Sequence, residues 1–213
     1  MKKVLIINAS ARMLDSKTRG LTSAFAEHWK ATGVKPEITY RELGNTGVSH
    51  VSGAWIAATL KPATNRSDAE NKLLAESNAY IAELKEADII VLGTPMYNWS
   101  VPSTLKAYID QVMRVNETFR VDAGNAESSY VGLLQNKTLL LLLSRGGEDY
   151  EEGQANAHMN FQSTYLKTVF NVMGVQNIHA IAIDGASLDK ENLKYTIEEA
   201  HRKVRDLITE ELN

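Results

Sequence analysis

Asp88-Ile89-Ile90-Val91-Leu92-Gly93-Thr94 is the stretch on which the fold turns. Its apolar residues are contiguous rather than alternating. That marks a strand covered on both faces, as in parallel sheets flanked by helices. Pro95 is expected to forbid its extension as a paired central strand. Working outward, Lys3 to Asn8, Lys137 to Leu143 and Asn177 to Ile183 read as further strands, and Glu37 to Arg41 alternates as a fifth.

Helical periods separate them. From Thr18, Leu21, Phe25 and Trp29 recur at helical spacing, and Gly33 and Pro36 close the segment. Ser67 opens a helix with Leu73, Leu74, Ser77, Ile81 and Leu84 on one face. Pro102-Ser103 caps another, striped by Leu105, Ile109, Val112 and Met113. A fourth is expected from about Asn156 to Met173, stopped by Gly174, and the last carries Leu193, Ile197, Ala200, Val204, Leu207 and Ile208. Residues 44–66 are irregular, with about one or two helical turns at most around the apolar patch Trp55 to Leu60. The resulting β-α alternation implies an α/β fold: a doubly wound five-stranded parallel sheet, strand order 2-1-3-4-5, with helices on both faces. No linker or repeat divides the chain, and 213 residues suit one domain spanning 1–213 at about 150 residues per domain.

Composition narrows the chemistry. The balance of 23 basic against 26 acidic residues, net −3, is the wrong sign for a nucleic-acid binder. With no cysteine there is no disulfide frame, thiolate zinc site, iron–sulfur cluster or thiol nucleophile. His28, His50, His158, His179 and His201 lack metal-ligand spacing, so no metal site is expected. The apolar run Val4 to Ile7 stops at Asn8, short of a secretory signal, and Leu139 to Leu143 is far short of a membrane span. The expectation is a cytoplasmic protein with no membrane partner.

In doubly wound sheets, ligands sit beyond the carboxyl ends of the strands, which singles out three loops. The first, Ala9 to Arg19, has no glycine and no phosphate-loop motif but is dense in hydroxyls before a helix. Helix amides with Ser and Thr hydroxyls suit a phosphate monoester, although Ser16 or Thr18 serves equally well as a plain helix cap. The second, Thr94 to Ser103, brackets Met96, Tyr97, Asn98 and Trp99 between prolines. These flat and polarisable side chains suit a large planar ligand, the competing role being core filler. The third, Ser144-Arg145-Gly146-Gly147, lets backbone approach a ligand closely.

Ser10 with Ser16-Lys17-Thr18, the Met96-Tyr97-Asn98-Trp99 segment and Ser144-Arg145-Gly146-Gly147 together resemble the FMN-dependent NADH:azoreductase, or quinone reductase, family of flavodoxin-like proteins. The resemblance implies non-covalent FMN, with its phosphate at Ser10, Ser16, Lys17 and Thr18 and its ring against Met96, Tyr97, Asn98 and Trp99. Ser144, Arg145, Gly146 and Gly147 would flank the pyrimidine edge. It further implies NADH as donor and quinones or azo compounds as acceptors, reduced by ping-pong hydride transfer through the flavin. The flavin carries the chemistry, so no catalytic side chain is named. Phe119 resembles the family's aromatic residue at the active-site mouth, supplied across a homodimer, with a core role nearly as well supported. The dimer expectation also draws on Val51, Trp55, Ile56 and Leu60, which lack an evident place in the five-stranded core. Two other readings stand beside the enzyme: a flavodoxin-type electron carrier, and a phosphate-binding module of the same fold.

Overall fold

The computed structural model describes residues 2–33, 37–124, 129–188 and 190–212. Five parallel strands, β1 (Lys3–Asn8), β2 (Glu37–Glu42), β3 (Ile89–Pro95), β6 (Thr138–Ser144) and β7 (Asn177–Ile183), form one sheet in the order β2-β1-β3-β6-β7. In order of these five strands along the chain that is 2-1-3-4-5, as expected. A separate antiparallel hairpin, β4 (Phe119–Val121) with β5 (Tyr130–Gly132), completes the strands described. The helices are α1 (Lys17–Ala31), α2 (Gly53–Thr59), α3 (Asp68–Leu73), α4 (Ala75–Glu86), α5 (Ser103–Val112), α6 (Ser163–Met173) and α7 (Lys190–Leu207).

The contiguous apolar runs are explained by two cores, one on each face of the sheet. Leu5 and Ile7 of β1, Ile90 and Leu92 of β3, and Leu139, Leu141 and Leu143 of β6 face α4, α5 and α6. The residues between them, Val4, Ile6, Ile89, Val91, Leu140 and Leu142, face α1 and α7. Strand residues point alternately to opposite faces, so a strand buried on both sides has no polar position to spare. On α1, Phe25 and Trp29 lie one turn apart with stacked rings, centroids 5.9 Å apart.

Four expectations are corrected. Pro95 does pair: it stands opposite Ser144 at the end of β3, and the Met96 amide donates to the Ser144 carbonyl at 2.7 Å. A proline at a strand's last residue forfeits only its own donor, and the ladder resumes one residue later. The helix expected from Ser67 is two helices, α3 and α4, meeting at Leu74, and this turns Leu73 out to solvent while Leu74 is buried. Ser67 opens α3 with a reciprocal capping box to Glu70. The helix expected from about Asn156 begins only at Ser163, preceded by a short 3₁₀ turn at Ala157–Met159. Its break lies at Asn160, whose side chain accepts from the Ser163 amide at 3.0 Å and donates to the Tyr150 carbonyl at 3.0 Å. Finally, Trp55 does have a place within the chain, packed with Ala58, Leu74 and Val51, whereas Ile56 and Leu60 are exposed. Pro36, expected to close α1, lies outside the described residues.

Candidate active site

The carboxyl ends of β1, β3, β6 and β7 converge on two adjoining cavities. The smaller, about 220 Å³, is lined by Ser10, Arg12, Asp15, Ser16, Lys17 and Thr18 from the first loop, Pro95, Met96 and Tyr97 from the second, Ser144 and Gly146 from the third, and Ala186 and Ser187 after β7. The larger, about 750 Å³, is lined by Tyr97, Asn98, Ser100, Val101, Ser103, Lys106, Phe161 and Tyr165. Tyr97 belongs to both, so the two adjoin at its side.

The small cavity meets the amino end of α1. Ser16 caps that helix, accepting from the Arg19 amide at 3.4 Å, and its hydroxyl lies 3.3 Å from that of Thr18. The first amides of a helix have no carbonyl partner within it, and no acidic residue occupies this first turn. The end of α1 is therefore a ready anion site. Arg19 is committed elsewhere, bound through both terminal nitrogens to Glu42 at 2.5 and 2.6 Å. That leaves Arg12 and Lys17 against Asp15 as the charges lining the cavity. The pocket is shaped by close approaches: a Cβ on Gly146 would fall 2.9 Å from Ser187 Oγ, so a side chain there would fill the cleft.

Between the cavities the chain makes a tight turn. Tyr97 and Ser100 exchange backbone hydrogen bonds of 3.0 Å, and the two residues between them, Asn98 and Trp99, both hold positive φ, 47° and 63°. Positive φ at both central positions is the geometry of a type I′ turn, usually given to Gly or Asn. Trp99 thereby projects outward, 47% exposed, and lines neither cavity, while the Phe161 amide donates to its carbonyl at 3.0 Å.

Of the residues read from the sequence, the structure brings Ser10, Ser16, Lys17, Thr18, Met96, Tyr97, Asn98, Ser144 and Gly146 together. Arg145 turns inward instead. It is 1% exposed, and its guanidinium reaches Gln162 at 3.1 Å, Glu151 at 2.7 Å and Ser163 at 3.2 Å, with the Tyr150 ring at 5.6 Å. Gln162 in turn donates to the Thr94 carbonyl at 3.2 Å, tying α6 to the end of β3. Gly147 faces Tyr150, not the cleft. Phe119 sits on the hairpin, edge-on to Tyr130 with centroids 5.9 Å apart, away from both cavities. Sequence reading missed Ala186 and Ser187, because only three strand ends were weighed, and Phe161 and Tyr165, which the break at Asn160 swings to the mouth. The Gly185-Ala186-Ser187 turn after the last strand was the available signal.

Asp184 lies behind this wall. Burial holds its carboxyl above the usual carboxylate range, and Arg145 at 3.6 Å opposes that shift while Glu151, Glu148 and Asp149 add to it. Among the described residues, no group of His, Asp or Glu is placed to hold a metal ion, and no helix is long and apolar enough to cross a membrane.

The five-stranded order 2-1-3-4-5, with a cleft at the carboxyl edge beside an anion-ready helix end, is the flavodoxin-like layout. The family model described as the flavodoxin-like fold matches residues 2–208. The chain belongs to this family and, within it, to the FMN-dependent NADH:quinone oxidoreductase group. It is similar to FMN-dependent NADH:quinone oxidoreductase 1 of Trichormus variabilis, 34% identical over 206 residues, covering 97% of this chain and 95% of the relative. It is likewise similar to FMN-dependent NADH:quinone oxidoreductase 2 of Pseudomonas putida, 35% identical over 204 residues, covering 96% and 98%. Among solved structures, an azoreductase from Bacillus anthracis superposes with a TM-score of 0.84 at 25% identity, covering 97% of this chain and 100% of that one. An FMN-dependent NADH-azoreductase of the same species, solved with FMN, shares the fold with a TM-score of 0.86 at 24% identity, covering 99% and 100%.

Proposed function

We propose that this protein is an FMN-dependent NADH oxidoreductase that reduces quinones and azo compounds. The observation that carries the reading is the adjacency of the two cavities at Tyr97: a hydroxyl-lined anion cleft at a helix end lies beside a wider, mainly apolar chamber. That shape fits a cofactor with a phosphate at one end and a flat ring at the other. The hydroxyls of Ser10, Ser16 and Thr18, with the first amides of α1, would hold the phosphate, and Lys17 would balance its charge. Met96 and the Tyr97–Ser100 turn would orient the ring, with Ser144 and Gly146 along its edge. Bound FMN supplies two-electron redox chemistry between NADH and the acceptor, which is why the site needs no metal or nucleophile. Val101, Phe161 and Tyr165 would give the chamber that receives the acceptor its apolar wall.

Arg145 and Gly147 support the site from behind by holding the wall that carries Gly146 and Phe161. The electron-carrier reading is not favoured, because the relatives are oxidoreductases and the chamber is of substrate size. Purified protein is expected to carry flavin absorbance that NADH bleaches without oxygen and a quinone restores. Flavin that NADH leaves coloured overturns the reading.

We further propose a cytoplasmic homodimer formed from this single domain. The cytoplasm is where the reduced nicotinamide it consumes is made. The exposed Ile56 and Leu60, and the outward ring of Trp99, support association. In such a dimer, Phe119 of one chain would complete the chamber of the other.

A further inference from the structure

The larger cavity contains one cation and no carboxylate among its lining residues. Against Tyr97, Val101 and Phe161 that lining sets two polar-tipped side chains from separate helices, Lys106 of α5 and Tyr165 of α6. Among the described residues, Lys106 is paired only with Asp110, one turn along the same helix, at 2.6 and 2.8 Å. Both partners are well exposed, at 50% and 37%, and such a pair holds weakly against a competing anion. The Tyr165 hydroxyl makes no hydrogen bond to any described residue. Burial, and after it the Asp110 charge, push its phenol up to about 12, so it stands protonated at neutral pH as an unspent donor. An anion leaving water for this chamber would exchange Asp110 for itself at the ammonium and gain the phenol as a second donor.

We infer that Lys106 and Tyr165 set acceptor specificity, selecting planar aromatic acceptors that carry an anionic oxygen substituent such as a sulfonate or carboxylate. This rests on the oxidoreductase reading above and adds to it the chemical class of the acceptor. Lys106 and Tyr165 grip the substituent and take no part in electron transfer. Asp110 acts as the competitor that keeps the ammonium in place when no anion is bound.

The test uses the holoenzyme with anthraquinone-2-sulfonate and the neutral 2-hydroxymethylanthraquinone. Each is first titrated without NADH, with Kd read from the perturbed flavin spectrum, and then used as acceptor for kcat and KM. Lys106→Met is expected to lower the preference for the sulfonate by at least about fivefold, expressed in Kd and KM rather than kcat. Lys106→Glu should reverse that preference, and Asp110→Asn should raise it by freeing the ammonium. A structural role for the pair would move both variants in one direction. Opposite movement therefore supports the inference, and an unchanged ratio in Lys106→Met or a lowered one in Asp110→Asn overturns it. Reduction of neither quinone by the wild type would overturn the oxidoreductase reading itself. Reduction of both, at a ratio indifferent to these variants, would overturn only the assignment of Lys106 and Tyr165.

Discussion

Ser16 accepts from the Arg19 amide at 3.4 Å and lines the anion cleft, so capping and ligand binding are carried by one hydroxyl. Thr18, 1% exposed, is its neighbour at 3.3 Å. Hydrogen bonds to charged groups are worth about 1.5–3 kcal/mol each, so Ser16→Ala with Thr18→Ala should weaken FMN binding at least about tenfold. Loss of the cap should also cost the apoprotein about 1 kcal/mol. A titration of the apoprotein with FMN, beside a thermal melt, separates the two effects, and unchanged FMN affinity would remove these hydroxyls from the phosphate site. Tyr108 presents the opposite situation. It is 1% exposed, packs against Tyr80 with ring centroids 5.0 Å apart, and its buried hydroxyl has no hydrogen-bond partner among the described residues. The unmet desolvation of a buried hydroxyl costs about 1–3 kcal/mol. Tyr108→Phe is accordingly expected to leave stability unchanged or to raise it, as urea unfolding would read, and clear destabilisation would mean that the hydroxyl is satisfied.

At the scale of elements, the site depends on how closely α1 approaches β3. A Cβ on Gly93 would fall 2.6 Å from Thr22 Cγ2 and 3.2 Å from the Thr18 carbonyl oxygen, so only glycine lets the helix end reach the strand ends. Gly93→Ala should cost about 1–3 kcal/mol by overpacking and should weaken FMN binding as α1 backs away. Gly20, in the same helix with nothing within 4 Å, is the control. Gly20→Ala should stabilise by about 0.5–1 kcal/mol, and matching melts for the two variants would refute the close-approach account. The same elements show what was legible in advance. β1, β3 and β6 could be read because burial on both faces demands unbroken apolar runs, and the carboxyl-edge rule then located the three loops that supply nine of the expected residues to the cavity linings. The start of α6 could not be read, because it is set by Asn160 reaching back to Tyr150, a long-range fact. The hairpin was equally silent: its strands, Phe119–Val121 and Tyr130–Gly132, are too short to show a period. The family resemblance put Arg145 at the ligand, yet its guanidinium turns to Glu151, Gln162, Ser163 and Asp184, between 6 and 39 residues away.

For the whole molecule, burial of Trp55 moves the test of association to its exposed neighbours. Ile56 and Leu60 are 49% and 78% exposed on one short helix and its cap, whereas Trp55 is 7% exposed and needed by its own chain. Ile56→Asp with Leu60→Asp should convert dimers to folded monomers in sedimentation equilibrium, whereas Trp55→Asp should unfold the segment. Wild-type protein sedimenting as a monomer at micromolar concentration, with full flavin and activity, would refute the dimer. One further consequence belongs to the chain as it is made. Leu139 to Leu143 are all at 0% exposure in the finished fold, and Leu139, Leu141 and Leu143 share their core with Leu166, Phe170 and Met173 of α6. On the ribosome that helix follows some seconds later, at about 5–20 residues per second. Until then, five consecutive leucines present an uncovered face of the kind that seeds intermolecular strands. Lys137 precedes the run and Arg145 follows it, charges placed as gatekeepers against such pairing. Before it becomes a buried brace, Arg145 guards the nascent strand.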